Sequence, residues 1–559
     1  MEANDRSEDS LLSAANRAPI RCVPTFDPAW LSRATLLFVT LGVLLRGVRY
    51  LLNYPLWCDE TMLAANLLER GYLDMFSPLA YRQVCPVLFL EVELTAIKLM
   101  GFSEWTLRLF PFVCAIAGMF LFRHLAGRLM RGEALLLAVA IFAVSTSPLR
   151  FGAEVKPYAS DLLVALMLLT CALEWWRRPE RTGWLWALVL LAPLALGMSF
   201  PAIFVAGGVS IGLLGVVWQS NRRGVWVAYV AYNFVVAASF LLLLRFYKTA
   251  PQDHAYFHHD WAPAFPPLDS LWKFIVWFFQ INTAYLFAYP DGGDHGGSTL
   301  TFFCFLVALV VLWRRGRRTV LILCLAPFGL TLVAAALHRY PYGFSARTAQ
   351  YVAPTICLMA GLGAATLLGG IHSTKARRRV FLGVIAGMAL FGFGRMAYDL
   401  SHPYRGFPDE LHRGFARWFW MEKSLNAELV CPKADFGLEF SPEHWTKDGV
   451  DTYLCYQKLH SPRHHRGEPP RLDVVSASHP LRFVFFNEFP QESPAFQTWL
   501  TGMLRDFDLK SIDFYPISAP LNEKRKSWDL AYLTYEFTPK PGPSTNPLVG
   551  ISRRGPVRR

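Results

Sequence analysis

Apolar runs long enough to cross a bilayer alternate along this chain with short polar stretches, the pattern of helices that satisfy their own backbone inside lipid. Eleven such runs read as spans, near residues 33–52, 107–122, 134–148, 159–175, 183–199, 201–218, 225–244, 298–313, 319–337, 349–369 and 379–397. Two further segments, 85–101 and 271–289, are marginal. The first, "CPVLFLEVELTAIKLMG", carries Glu91, Glu93 and Lys98, and an ionised group at a helix centre costs about 2.5–3.5 kcal/mol on insertion scales. Basic loops decide between the alternatives, because they collect on the cytoplasmic side. With both marginal segments lying in the interface, the clusters Arg123/Arg128/Arg131, Arg177/Arg178/Arg181, Arg222/Arg223, Arg314/Arg315/Arg317/Arg318 and Lys375/Arg377/Arg378/Arg379 all share the amino end's side. With both crossing, several clusters face outward. The expected fold class is therefore an α-helical polytopic membrane protein of about eleven spans with two membrane-associated helices.

Beyond residue 398 the apolar runs stop. "DELHRGFARWFWMEKSL" and "SPAFQTWLTGMLRDF" have helical spacing, while "LRFVFFNEF", "DLKSIDFYPI" and "LAYLTYEFTP" read as strands. The expected organisation is a cytoplasmic tail (1–32), a transmembrane catalytic domain (33–397), a small extracytoplasmic α/β domain (398–540) and a disordered basic tail (541–559). Residues 1–32 lack the apolar core and small-residue cleavage site of a signal peptide, so the first span serves as an uncleaved signal.

Composition fits this picture: 53% of the 559 residues are hydrophobic, 15% aromatic and only 17% charged, too apolar for one soluble core. The net charge of +13 raises nucleic acid as a partner, but Lys and Arg fall in short clusters between spans, which membrane orientation explains. No nucleic-acid partner is expected. Ten cysteines show no CxxC pair and no zinc spacing. In an oxidising compartment, Cys58 with Cys85 and Cys431 with Cys455 are conceivable disulfides.

The unusual polar stretches share the outer face. "YPLWCDETML" places Asp59 and Glu60 just after the first span, at the start of an amphipathic stretch. Two readings stand: an acid caps this helix, since acids favour a first turn, or an acid reacts at the mouth of the bundle. Both hold if one caps and the other reacts. In "EVKPYASD", Glu154, Lys156, Tyr158 and Asp161 stand at the junction of an outer loop and a span, either as a salt bridge that orients the loop or as a site for an anionic headgroup and an acceptor to be deprotonated. "HRYPYGFSAR" supplies Arg339, Tyr340, Tyr342 and Arg347, and "AYRQVCP" supplies Arg82 and Gln83. These are interfacial anchors or, for the guanidiniums, bidentate grips on phosphate. "DHAYFHHDW" (253–261) has three histidines but no standard metal spacing.

Taken in order, these motifs resemble the GT-C glycosyltransferases, the multi-span class that includes protein O-mannosyltransferases and the bacterial lipid A aminoarabinose transferases. The element "W-x-D-E" is matched by Trp57, Asp59 and Glu60; "G-x-S/T-E-x-x-x-R-L-x-P" by "GFSEWTLRLFP" (101–111); and "E-x-K-x-Y-x-x-D" by Glu154, Lys156, Tyr158 and Asp161. "RQVCPV" stands where relatives carry a Gln-x-Ala-Pro or Lys-Pro-Pro element, and 339–347 resembles "R-Y-P-Y/F-G-x-R" with the last arginine displaced to Arg347. The resemblance implies a polyprenyl-phosphate-linked sugar as donor and an inverting single displacement at the outer face of the plasma (inner) membrane. Asp59 would be the base. Glu60, Glu154 and Asp161 would assist it or position the acceptor. Lys156, Arg82, Arg339 and Arg347 would hold the donor phosphate, with Tyr158, Tyr340, Tyr342 and Gln83 lining the substrate. The acceptor, whether lipid, glycan or protein, stays open, as does the role of the C-terminal domain. The lysine of Lys-Pro-Pro is absent, Arg82 being its nearest substitute, and with no Asp-x-Asp in the first loop no metal or other cofactor is expected. A transporter or flippase of lipid-linked glycans is the alternative, but it calls for an internal repeat and charges buried mid-span, neither of which the sequence displays.

Overall fold

The computed structural model describes residues 17–20, 25–80, 83–220, 222–246, 259, 261–292, 297–405, 409–410, 413–415, 427–432, 445–446, 471–486, 494–516 and 531–541. They form two compact units, Met1–Asn53 with Tyr72–Pro78 and Val84–Pro403, and Tyr54–Gly71 with Leu79–Gln83 and Tyr404–Arg559.

The first unit is a helical bundle. Among the described residues seven helices are long and apolar enough to cross a membrane: α1 (Pro28–Leu51), α4 (Glu104–Leu129), α7 (Tyr158–Arg177), α10 (Arg223–Phe246), α13 (Arg318–Ala336), α14 (Ala353–Gly369, entered through a 3-10 turn at Ala346–Val352) and α15 (Thr374–Ser401). Four shorter apolar helices, α5 (Glu133–Val144), α8 (Gly183–Met198), α9 (Ala202–Trp218) and α12 (Gly297–Arg314), stand at the other four expected runs but are shorter than the seven. The two marginal segments fold as shorter, different helices. α3 (Val87–Met100) keeps its charged residues, and α11 (Leu271–Ile281) exposes Leu271, Trp272, Ile275 and Phe279 along one side before a π-turn at Asn282–Leu286. A short helix of that polarity lies in an interface rather than through it.

α5 forms the core of this bundle, every residue but Leu135 being buried. Its only acid, Glu133, ends there without isolation: Arg377 Nη2 on α15 reaches its Oε2 at 2.7 Å and the Thr25 N–H donates to its Oε1 at 3.0 Å. α14 approaches α5 and α12 closely because two glycines leave room, as in membrane helices whose backbones pack directly. A Cβ at Gly361 would stand 2.5 Å from the Ala138 backbone, and one at Gly363 would collide with the Cys304 carbonyl. We expect Gly361→Val to destabilise the bundle by about 3 kcal/mol, read as a lower Tm and loss of a monodisperse peak in detergent. Gly387→Val on α15, where a Cβ meets nothing within 4 Å, should leave both unchanged.

The "GFSEWTLRLFP" motif is a helix-to-helix joint. Gly101, at φ 82°, closes α3 with its N–H on the Ile97 carbonyl, and the Ser103 side chain caps α4 by accepting the Thr106 N–H at 3.1 Å. Glu104 then receives the Asn53 amide at 3.3 Å, tying the joint to the end of α1. At that same end of α1, Arg49 grips both carboxylate oxygens of Asp399 on α15 at 2.9 Å.

The second unit contains α2 (Cys58–Glu69) and the C-terminal α/β part. Among the described residues five strands, β1 (Glu428–Pro432), β2 (Trp445–Thr446), β3 (Leu481–Phe486), β4 (Phe507–Pro516) and β5 (Ala531–Pro539), form one sheet in the order β2-β1-β3-β5-β4. Only β1 and β3 pair in parallel. Alternation along β3 sends Leu481, Phe483 and Phe485 to one face, where Phe496, Trp499 and Met503 of α16 (Pro494–Asp506) cover them. Arg482, on the opposite face, pairs with Glu536 across the ladder at 2.7 Å. β3, β4, β5 and α16 agree with the sequence pattern, whereas β1 and β2 are not among the strands read from it. The segment 416–426 and the tail 542–559 lie outside the described residues.

Candidate active site

On α2 the two adjacent acids have different surroundings. Glu60, at the third helical position, is buried and its Oε2 accepts the Trp57 N–H at 3.2 Å, the carboxylate half of a capping box. Asp59 is half-buried in the same first turn, about 100° round the helix axis from Glu60. Asn66, which sequence reasoning passed over, holds the next segment in place. Its Oδ1 accepts the Ala80 N–H at 2.8 Å while its Nδ2 donates to the carbonyls of Met62 at 2.9 Å and Ala80 at 3.2 Å. Ala80 is thereby fastened to the helix that carries Asp59. Gln83 touches Met62 through an amide-to-sulfur contact at 3.4 Å. From the C-terminal part, the Arg405 guanidinium lies 3.4 Å over the Trp57 ring, an attraction between cation and ring quadrupole. Arg82 lies outside the described residues.

A second constellation belongs to the bundle. Residues 152–157 turn tightly before α7, with the Lys156 N–H on the Glu154 carbonyl at 2.8 Å and the Asp161 N–H on the Pro157 carbonyl at 2.8 Å. Glu154 accepts from Arg150 Nε at 2.6 Å, so the loop-orienting salt bridge is Arg150 with Glu154. Arg150, four residues before Glu154, is not among the sequence candidates. Lys156 and Asp161 are both buried, and Asp161 Oδ1 has no hydrogen-bond partner. Both lie in the electrostatic surroundings of the Cys85 thiol, together with Glu93 of α3. Burial pushes that thiol up, with Lys156 opposing. Glu93 is the acid the sequence offered only as an obstacle to membrane insertion; here it is wholly buried, and neither carboxylate oxygen has a hydrogen-bond partner. Tyr158 packs edge-on against Phe151. Tyr340 donates to the Thr348 carbonyl at 2.9 Å, and burial, reinforced by Asp161, holds its phenol well above the ordinary range and so protonated.

The remaining candidates are dispersed. Arg347 stacks 5.0 Å over Trp261, Arg339 is exposed, and Tyr342 is packed among Trp277 and Phe278 of α11 with its hydroxyl donating to Asn282 at 3.4 Å. Tyr342 thus anchors the interfacial helix. Cys85 is a free, buried thiol, so the conceivable Cys58–Cys85 disulfide is not made; Cys455 and most of the histidine cluster, residues 253–258 and 260, lie outside the described residues. Among the described residues no group of three or more His, Cys, Asp and Glu is arranged to hold a metal ion.

Glu93 carries a testable consequence. Burial raises its carboxyl well above the ordinary 4.5, so above that pH the folded chain keeps a proton that the unfolded chain releases. Its contribution to stability therefore falls as pH rises from 4.5 towards the folded-state value. Glu93→Gln is expected to remove that slope and to gain about 1–3 kcal/mol at pH 8, seen as a higher Tm than wild type at pH 8 and a matching Tm at pH 4.5.

A multi-span bundle with a charged constellation at the start of one of its helices, joined in one chain to a small α/β part, is the GT-C architecture, and the chain has that fold. The structure of ArnT from Cupriavidus metallidurans bound to undecaprenyl phosphate superposes with a TM-score of 0.53 at 13% identity, covering 89% of this chain and 97% of that one. The apo form of the same protein gives 0.49 at 12% identity over the same shares, and the oligosaccharyltransferase of Archaeoglobus fulgidus gives 0.42 at 12% over 79% of this chain and 62% of that one. No family model and no curated protein matches the sequence.

Proposed function

We propose that the protein is a membrane glycosyltransferase that moves a sugar from a polyprenyl-phosphate donor to an acceptor hydroxyl at the outer face of the plasma membrane. The observation that carries this reading is the fold shared with ArnT over nearly the whole of that chain, a protein whose structure holds undecaprenyl phosphate. In the proposed reaction Asp59 takes the proton from the acceptor hydroxyl as its oxygen attacks the anomeric carbon. The bond to the phosphate oxygen breaks, the configuration inverts, and polyprenyl phosphate leaves with the bonding pair. Two chemical needs follow: a base for the incoming proton and cations for the developing phosphate charge.

Glu60's engagement in the helix cap supports Asp59 as the reacting member of the acid pair. Lys156 supports the second role, being a buried ammonium in a loop that Arg150 and Glu154 hold in shape, with Arg82, Arg339 and Arg347 as further candidates. Asp161 and Tyr340, near each other, suit contacts to sugar hydroxyls, one accepting and one donating. Glu154, bound by Arg150, is assigned to orienting the loop, and through it the acceptor. The reading is tested by transfer of labelled sugar from a polyprenyl-phosphate donor in membranes carrying the wild-type chain; no transfer above empty membranes, across donors of several sugars, counts against it.

A further inference from the structure

At the bundle end that carries the basic connections, three loops bring their arginines together. Arg177, closing α7, has Arg128, Arg131 and Arg178 as charged neighbours, with Glu174 as the only acid in that set. Arg317 in turn has Arg315 and Arg177 beside it. Glu174 is already committed, accepting from Arg128 Nε at 2.5 Å and facing His124 Nε2 at 3.3 Å. Six guanidiniums from three connections distant in sequence are thus neighbours in turn, with Glu174 the acid beside Arg177 and Arg128, an excess of positive charge that favours a bound anion.

The cluster is built rather than merely solvated. Arg317 is 7% exposed; its Nη2 donates to the Ala18 carbonyl at 2.5 Å, while its Nε is buried without a hydrogen-bond partner. The amino-terminal residues are fastened across the same end, with the Ile20 N–H on the Leu129 carbonyl at 2.8 Å and the Arg131 N–H on the Ile20 carbonyl at 3.0 Å. The depth is that of lipid headgroups. Trp186, Trp218 and Trp313 are exposed within a few residues of the basic connections, and exposed tryptophans mark the membrane interface.

We infer that this cluster is a binding site for the phosphate of an anionic phospholipid headgroup, held by Arg177 and Arg317 with Arg128, Arg131, Arg178 and Arg315 around it. The inference rests on the orientation read from the basic loops, not on the transfer reaction, and survives if that reaction is refuted. Guanidinium forks suit phosphate oxygens, and the exposed tryptophans favour a lipid over a free anion.

The test uses the full-length chain, delipidated in neutral detergent, with phosphatidylglycerol, phosphatidylcholine and inorganic phosphate as probes and native mass spectrometry as readout. Phosphatidylglycerol is expected to bind about thirtyfold more tightly than phosphatidylcholine, from a contribution of about 1 kcal/mol from each of Arg177 and Arg317. Arg177→Gln/Arg317→Gln should lose that preference, whereas Arg222→Gln/Arg223→Gln, which removes the same charge from another connection, should keep it. Equal binding of the two lipids by wild type overturns the inference. So does equal loss in both double variants, which would mean diffuse attraction, and so does displacement of the lipid by inorganic phosphate at the same concentration, which would mean a free-anion site. If the first double variant does not fold, Arg178→Gln, an exposed position, takes its place: a drop of about threefold in phosphatidylglycerol affinity supports the site, and unchanged affinity overturns it.

Discussion

Asp59→Asn is expected to lower sugar transfer by about 10²- to 10⁴-fold, the usual range for removing a general base, with expression, Tm and donor binding unchanged. The substitution is isosteric, and an asparagine still favours a helix start. Glu60 keeps its bond to the Trp57 N–H, so α2 retains its cap. A structural role for Asp59 would instead appear as a lower Tm with proportionate activity. The paired variant Glu60→Gln separates the two acids: the amide oxygen still accepts from Trp57, so Glu60→Gln should retain most activity. Full activity in Asp59→Asn would move the base to Asp161, the buried acid at the start of α7.

Much of the bundle was legible because insertion into lipid is decided locally. An apolar run of sufficient length announces a span whatever lies around it, and the same locality marked α3 as an exception through its charged residues. Joints such as Gly101 and Ser103 were also written locally, although in the sequence they looked like elements of a functional motif and prove to be a helix stop and a helix start. What stayed hidden depends on chain distant in sequence. Nothing near Tyr54–Gly71 announces that this stretch groups with the C-terminal region, yet Arg405 over Trp57 spans some 350 residues. Glu93 read as a cost to insertion because its surroundings, shared with Lys156 and Asp161 about Cys85, come from two stretches distant in sequence. Arg150 could have been found: an arginine four residues before Glu154 is the spacing of a helical ion pair. Asn66 had a weaker signal, an amide on the polar side of an amphipathic helix. Tyr342 had the opposite problem, since an aromatic residue beside arginines reads equally well as a site or as an anchor.

Lys156→Ala is expected to reduce kcat by about 10²-fold while the KM for the donor rises only a few-fold. The split follows from where the charge develops. A sugar-linked phosphodiester already carries one negative charge, which any nearby cation attracts before reaction. The departing phosphate gains another as the bond to the anomeric carbon breaks, and a fixed ammonium in a partly dry site stabilises that second charge chiefly in the transition state. Lys156 suits this role because burial, at 6% exposure, limits solvent screening, and because the 152–157 turn, closed by its own N–H on the Glu154 carbonyl, restricts where the side chain starts. Arg150→Gln provides the companion measurement: it breaks the ion pair with Glu154 at 2.6 Å without removing the ammonium, so its loss of kcat should be smaller, and Glu154→Gln, which loosens the same pair, should match it. Lys156→Arg retains charge but changes reach and fork geometry, and is expected to recover part of the lost kcat. A merely structural lysine would give another pattern, with alanine and arginine variants equally impaired, Tm lowered in both, and the residual kcat unchanged per folded molecule. That outcome would leave phosphate stabilisation to Arg82, Arg339 and Arg347, of which Arg347, stacked on Trp261, would be the next to replace.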